Sequence, residues 1–362
     1  MVDENSPKPY NIASRHKWHV WLLTLPLILL IVAFAWSRIS KTGDANAVLR
    51  KLTLYAVGPV AISPNGEIIA AGEGHVTAQV RVWDLQTGRI LNTIKTDNNA
   101  GVGLIAFSPD NGTIATSDWN GGNQLFLWDV KTGNRKGQMI GDQWVTQCLF
   151  FSSDGKYLVN SGRNRKATVE IWEVSTRRLL RTLTESPTGN AFAFPMTDNR
   201  TMLVVSNNDV RLRDLRSYRL IRSFSLGSGD TKEYLKAAFS SDGKTLALCT
   251  RLSQGGAETT ELWDVKTGTL RHSWQENAGN KNGPWRGAVQ SLAFSPDSEL
   301  LSSSSKGEPV RLWDVQSGLV RATLKAEAQS LAFSPDGKTL AVGTQREVQL
   351  WKVDALLKKG SQ

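Results

Sequence analysis

One unit is written seven times in this chain, and that repetition constrains the fold more than any other feature. Each copy carries two signatures. The first is an apolar run ending in Phe-Ser-Pro-Asp-Gly or a variant: AISPNG (61–66), AFSPDN (106–111), FFSSDG (150–155), AFPMTDN (193–199), AFSSDG (238–243), AFSPDS (293–298) and AFSPDG (332–337). The second is an alternating run ending in Trp-Asp, followed by a Thr-Gly or related turn. Its large-residue position falls at Trp83, Trp128, Trp172, Arg213, Trp263, Trp313 and Trp351, with successive spacings of 45, 44, 41, 50, 50 and 38.

The residue types explain the pieces. In Ser-Pro-Asp-Gly, Pro presets φ, Asp bonds its own backbone and Gly accepts positive φ, so the motif turns strand a into strand b. Strand c alternates apolar and polar residues up to the Trp. Asp-x-x-Thr-Gly then closes the turn into strand d, as in RILNTI (89–94) or RLLRTL (178–183). Four short strands cannot bury both faces of their own sheet, whereas a ring of such sheets does so. A period near 45 residues made of short strands therefore predicts propeller blades.

These motifs resemble the WD-repeat family of β-propellers. Trp83-Asp84, Trp128-Asp129, Trp263-Asp264 and Trp313-Asp314 match its signature dipeptide. Trp172-Glu173, Arg213-Asp214 and Trp351-Lys352 match in part. The family's Gly-His pair before strand a is absent throughout, so the hydrogen-bonded tetrad built on that His is not expected. Ser-Pro-Asp-Gly turns also occur in bacterial propellers outside the strict WD family, which marks this chain as a divergent, bacterial-type member. The last copy stops at VQLWKV (348–353), and the following DALLKKGSQ is too short and polar for a fourth strand. An unassigned run, KLTLYAV (51–57), precedes the first copy. The ring is expected to close by adding that N-terminal strand to the last blade, which removes open sheet edges.

One copy departs from the rest. VRLRDL (210–215) places Arg213 where Trp belongs, but Val210 and Leu212 keep the alternation and Asp214 keeps the turn. The expected reason is tolerance: an arginine stem packs while its head reaches a carboxylate or water.

Between Lys17 and Arg38 lie 20 residues without formal charge, WHVWLLTLPLILLIVAFAWS. As a helix this run spans roughly 30 Å, a bilayer's hydrocarbon thickness. Trp18, Trp21 and Trp36 mark its ends as interfacial aromatics do. The expectation is a single-pass cell-membrane protein with its propeller extracytoplasmic. The alternative is a secreted propeller cleaved after Ala35, because Ala33-Phe34-Ala35 has the form of a cleavage site. The domain reading is a tail (1–17), a transmembrane helix or signal anchor (18–37), a linker (38–48), an all-β seven-bladed propeller (49–354) and a C-terminal tail (355–362).

No catalytic constellation emerges. His16, His19, His75 and His272 are scattered, and Cys148 and Cys249 sit inside apolar runs as core thiols. There is no Gly-x-Ser-x-Gly elbow, Walker loop or His-Glu-x-x-His motif. The repeated aspartates have turn roles in each copy. Catalytic, cofactor and metal sites are all expected to be absent. A rival reading is an enzyme or cofactor-binding propeller with a site at its central channel.

The surplus residues suggest binding instead. Trp119 lies in the b–c loop SDWNGGN, Trp144 in the d–a loop MIGDQWVTQ, and Trp285 with Arg286 in the d–a segment QENAGNKNGPWRGA. The b–c loop GRNRKA adds Arg163, Arg165 and Lys166. All map to one face, and aromatics and arginine dominate binding hot spots. Residues 160–222 also hold 12 Arg/Lys against 6 Asp/Glu. These features predict a non-catalytic interaction scaffold that uses its b–c/d–a loops to bind a protein. The lipid bilayer is the expected partner of residues 18–37. Nucleic acid is disfavoured, because the basic residues are spread over outer strands.

Overall fold

The computed structural model describes residues 47–358 apart from 55–56, 74–77, 97–100, 120–122, 164, 197, 199, 227–231, 253–257 and 276–288. Within the unit Ala47–Gln362 the strands form seven antiparallel sheets of four strands each. This is a seven-bladed β-propeller. Its inner a strands are Val57–Ile62, Val102–Phe107, Val145–Phe151, Ala191–Pro195, Lys232–Phe239, Val289–Phe294 and Ser330–Phe333. Each packs beside the next, and the seventh beside the first.

The repeated turns hold as their chemistry dictates. In blade seven, the Ser334 hydroxyl donates to Asp336 Oδ1 at 2.6 Å and accepts the Thr339 amide at 2.9 Å. Gly337 supplies the φ of 70° that the turn needs. The same serine network recurs at Ser63, Ser152 and Ser240. The hydrogen bond from Ser334 is the chief reason Asp336 is held below the usual carboxylate range. In the c–d turns, Asp264 Oδ1 accepts the Thr267 amide at 2.8 Å. That bond, followed by Arg271, holds the Asp264 carboxyl down at about 2.

The core lies in the seams between blades, and each strand-c tryptophan faces the blade before its own. Trp128 joins Val80, Val82 and Ile94 of blade one; Trp172 joins Leu125, Leu127 and Met139 of blade two. Five of the buried indole N–H groups find acceptors within their own blades. Trp128 Nε1 donates to Thr116 Oγ1, Trp172 to Asn160 Oδ1, Trp263 to Glu261 Oε2, Trp313 to Ser303 Oγ and Trp351 to Gln349 Oε1, all at 2.9–3.0 Å. Burying an N–H without an acceptor would cost about 1–3 kcal/mol, so these polar side chains belong to the packing of the seams.

Blade four solves the seam differently. Its strand c (Asp209–Asp214) places Arg213 against strand d of blade three (Leu179–Ser186). Arg213 Nε donates to Glu185 Oε1 at 2.8 Å and Nη2 to Glu185 Oε2 at 3.2 Å. Arg211 adds a third contact, Nη1 to Glu185 Oε2 at 3.0 Å. Met202, opposite Arg213 in the sheet, fills the remaining apolar space.

The ring closes with a terminal strand at Val48–Thr53, which pairs with Glu347–Lys352 of blade seven. The strand lies earlier than the KLTLYAV run suggested, because Val57 already begins the inner strand of blade one. Leu52 and Leu54 enter the seam between blades seven and one. The chain after the last blade forms a short helix, Val353–Leu357, which buries Val353 and Leu356.

Trp274 is partly buried and stacks on Trp313 at 4.2 Å between ring centroids. Two further expectations need correction. Cys249 is buried, whereas Cys148 is partly buried and packs against the seam cluster of blades four and five. The expected cell-membrane localisation, with a bilayer as partner, does not stand. Among the described residues no helix is long and apolar enough to cross a membrane. A span needs about 20 residues, and the described helix has 5. Residues 18–37 and the cleavage site after Ala35 lie outside the described residues.

Candidate functional site

The d–a loops and b–c loops lie at one end of every sheet, and the tight a–b and c–d turns lie at the other. Exposed apolar side chains sort sharply between the two ends. Leu49, Ile90, Leu91, Leu179, Leu180, Leu220, Ile221, Leu270, Leu319 and Val320 lie near the starts of outer strands, at the tight-turn end. The remaining exposed large hydrophobics among the described residues are Trp119 (52% exposed), Ile140 (70%), Trp144 (66%) and Val145 (39%). All four lie at the b–c/d–a end of blades two and three.

Local structure holds these residues in place. Trp119 follows strand b of blade two (Thr113–Asp118), and its N–H donates to Gly101 O at 3.3 Å beside the start of the inner strand. Ile140 ends strand d of blade two (Arg135–Ile140), with Met139 buried on the opposite face. The loop carrying Trp144 is pinned from beneath. Asp142 N donates to Glu170 Oε1 at 2.7 Å. The buried Gln143 side chain donates to Asn160 O and Thr168 O at 3.3 and 3.1 Å. A Cβ at Gly141 would displace the Glu170 carboxylate that pins the loop. Burial raises the Glu170 carboxyl above its ordinary value, against the Asp142 N–H that lowers it.

The basic residues stand at the same end. Val145 pairs with Arg163, the last residue of strand b in blade three. Arg163, Arg165 and Lys166 are exposed. None of the three forms an ion pair with a described residue, so their charge is open to a partner. Trp285 and Arg286 lie outside the described residues. Sequence reading missed Ile140 and Val145, although alternation along RKGQMI, with Met139 inward, gave a signal for Ile140.

The central channel opens beside this patch. A cavity of about 460 Å³ is lined by inner-strand residues, among them Gln147, Lys236, Gln290 and Gln329, and by Trp119. At the tight-turn end, Asp198, Arg200, Asp214 and Arg216 line a second, charged cleft, in which Arg200 Nε lies 3.0 Å from Asp214 Oδ2. Ser217 and Arg200 together hold Asp214 far below the usual carboxylate range. The described residues contain no group of three His, Cys, Asp or Glu side chains able to hold a metal ion.

A family model described as WD domain, G-beta repeat matches residues 279–314 and 320–352. These two segments are similar to WD repeats. They fall in blades six and seven, where Trp313-Asp314 and Trp351-Lys352 stand. Over 178 residues the chain is 28% identical to Periodic tryptophan protein 2 of Arabidopsis thaliana, covering 48% of this chain and 18% of that protein. Over 220 residues it is 29% identical to the Periodic tryptophan protein 2 homolog of Mus musculus, covering 59% and 22%. The chain thus spans about a fifth of the length of the curated relatives it matches. Neither likeness supports the expected membrane localisation.

Proposed function

We propose that the protein is a non-catalytic interaction scaffold that captures a partner protein on the b–c/d–a face of blades two and three. One observation carries this reading. The exposed large hydrophobics described at that end of the propeller are confined to two adjacent blades, and three exposed cations, without an ion pair among the described residues, stand beside them. Trp119, Ile140, Trp144 and Val145 supply rigid apolar anchors. Arg163, Arg165 and Lys166 select a partner segment that carries carboxylates next to apolar side chains. The relatives' names state no partner, so the reading rests on the surface alone.

Alanine at Trp119, Trp144, Arg163 and Arg165 together tests it. Capture of a partner in pull-downs is expected to be lost while the thermal transition stays in place, because all four side chains are exposed. Undiminished capture by the folded quadruple variant would sink the proposal.

A further inference from the structure

The channel cavity holds a charge that nothing in the described protein answers. Lys236 lines it from the inner strand of blade five and makes no hydrogen bond or ion pair with a described residue. The side-chain amides of Gln147 and Gln329 line the same space and likewise have no protein partner among the described residues. Between them lie apolar surfaces of Val60, Leu104, Ile105 and Leu292.

The backbone has been reshaped around this mouth. In five blades a β-bulge interrupts the a–b pairing near the start of the inner strand: between Val57 and Val60, Val102 and Leu104, Thr146 and Cys148, Tyr234 and Lys236, and Val289 and Ser291. A bulge re-aims the side chains next to it, and here Gln147 occupies the interrupted position while Lys236 and Ser291 border it. Ser291 and Ser330 spend their oxygens on the Leu331 and Val60 amides, which lock neighbouring blades around the opening.

We propose that the channel is a binding site for a small amphipathic monocarboxylate, with Lys236 pairing its charge, Gln147 and Gln329 donating to its oxygens, and the aliphatic wall covering its tail. One lysine without an arginine fork or an amide nest matches a single negative charge better than a phosphate dianion. The volume of about 460 Å³ falls within the range of small-molecule sites. Burial lowers the Lys236 ammonium below its ordinary value. The other titratable groups that act on it are the Cys148 and Cys249 thiols of neighbouring strands, and no carboxylate among the described residues is paired with it. A bound carboxylate therefore restores the charged form, and affinity falls as pH rises through the lowered value. The site is separate from the partner patch, although Trp119 borders both.

Calorimetric titration of the full chain with hexanoate, hexanol and inorganic phosphate tests the proposal. Hexanoate is expected to bind saturably, more tightly than hexanol by at least about tenfold, a difference of 1.4 kcal/mol, and more tightly than phosphate. Lys236→Met should abolish the preference and Lys236→Arg should retain it, with both variants folded by circular dichroism. Hexanol binding as well as hexanoate, phosphate binding more tightly, no binding by any probe, or an unchanged preference in Lys236→Met would each overturn it. Partner capture by Lys236→Met should be unimpaired, which keeps this result distinct from the test of the loop face.

Discussion

Arg213 grips Glu185 at two points across the seam between blades three and four, with Nε–Oε1 and Nη2–Oε2 distances of 2.8 and 3.2 Å. The Glu185 side chain is wholly buried and that of Arg213 is 17% exposed. Removing one partner of such a buried pair leaves the other charge uncompensated, at a cost of about 3–5 kcal/mol. Glu185→Ala is therefore expected to destabilise by that amount in urea titration, since it strands Arg213, whereas Arg211 keeps Asp209 at 2.6 Å. Arg213→Trp, which restores the repeat, should destabilise too, because Glu185 would keep only Arg211. Pairing Arg213→Trp with Glu185→Leu should recover most of the loss. A stabilising Arg213→Trp single variant would show that the arginine is merely tolerated.

The indole acceptors make a second prediction. Trp313 Nε1 donates to Ser303 Oγ at 2.9 Å, and both residues are buried. Ser303→Ala deletes one oxygen and leaves the N–H without an acceptor. The expected cost is about 1–3 kcal/mol, read from the shift in denaturation midpoint. No measurable shift would mean that water reaches the indole.

These two cases mark how far the sequence could be read. The turns were legible because their chemistry is local: Ser334, Asp336 and Thr339 bond within five residues of one another. The blade count followed from them. Glu185 was not legible as the partner of Arg213, because 28 residues and a blade boundary separate the two. The closing strand was placed late because Leu49, Arg50 and Lys51 are all exposed and carry no alternation. Among the binding candidates, Trp119 and Trp144 were visible as tryptophans outside the repeat position. Lys236 was hidden, since in KEYLKAAF (232–239) only the bulge after Tyr234 reveals that it faces the channel.

Closure of the ring gives a third prediction. Leu52 and Leu54 are buried between blades seven and one, whereas Lys51 pairs with Glu347 on the surface at 2.9 Å. Leu52→Ala should cost about 2–5 kcal/mol through the cavity it leaves. Lys51→Ala should cost under about 1 kcal/mol, as exposed ion pairs do. Hydrogen exchange should localise the Leu52→Ala effect to Glu347–Lys352, the strand that pairs with it. Equal costs for the two substitutions would argue against Val48–Thr53 as the element that closes the ring.

Glu170 links stability to pH beneath the Trp144 loop. Burial raises its carboxyl above the ordinary value, and Oε2 is buried without a hydrogen-bond partner while Oε1 accepts the Asp142 N–H at 2.7 Å. In the unfolded chain the group ionises near about 4.3. Between that value and the raised one, the native protein keeps a proton that the unfolded chain has lost. Stability from this residue therefore falls as pH rises through the window, and the loss is complete above the folded-state value. Glu170→Gln retains an oxygen for Asp142 and removes the titration. It should match the parent near pH 4 and exceed it in melting temperature at pH 7–8. Parallel stability curves for the two proteins across that range would exclude Glu170 as a group that titrates on unfolding.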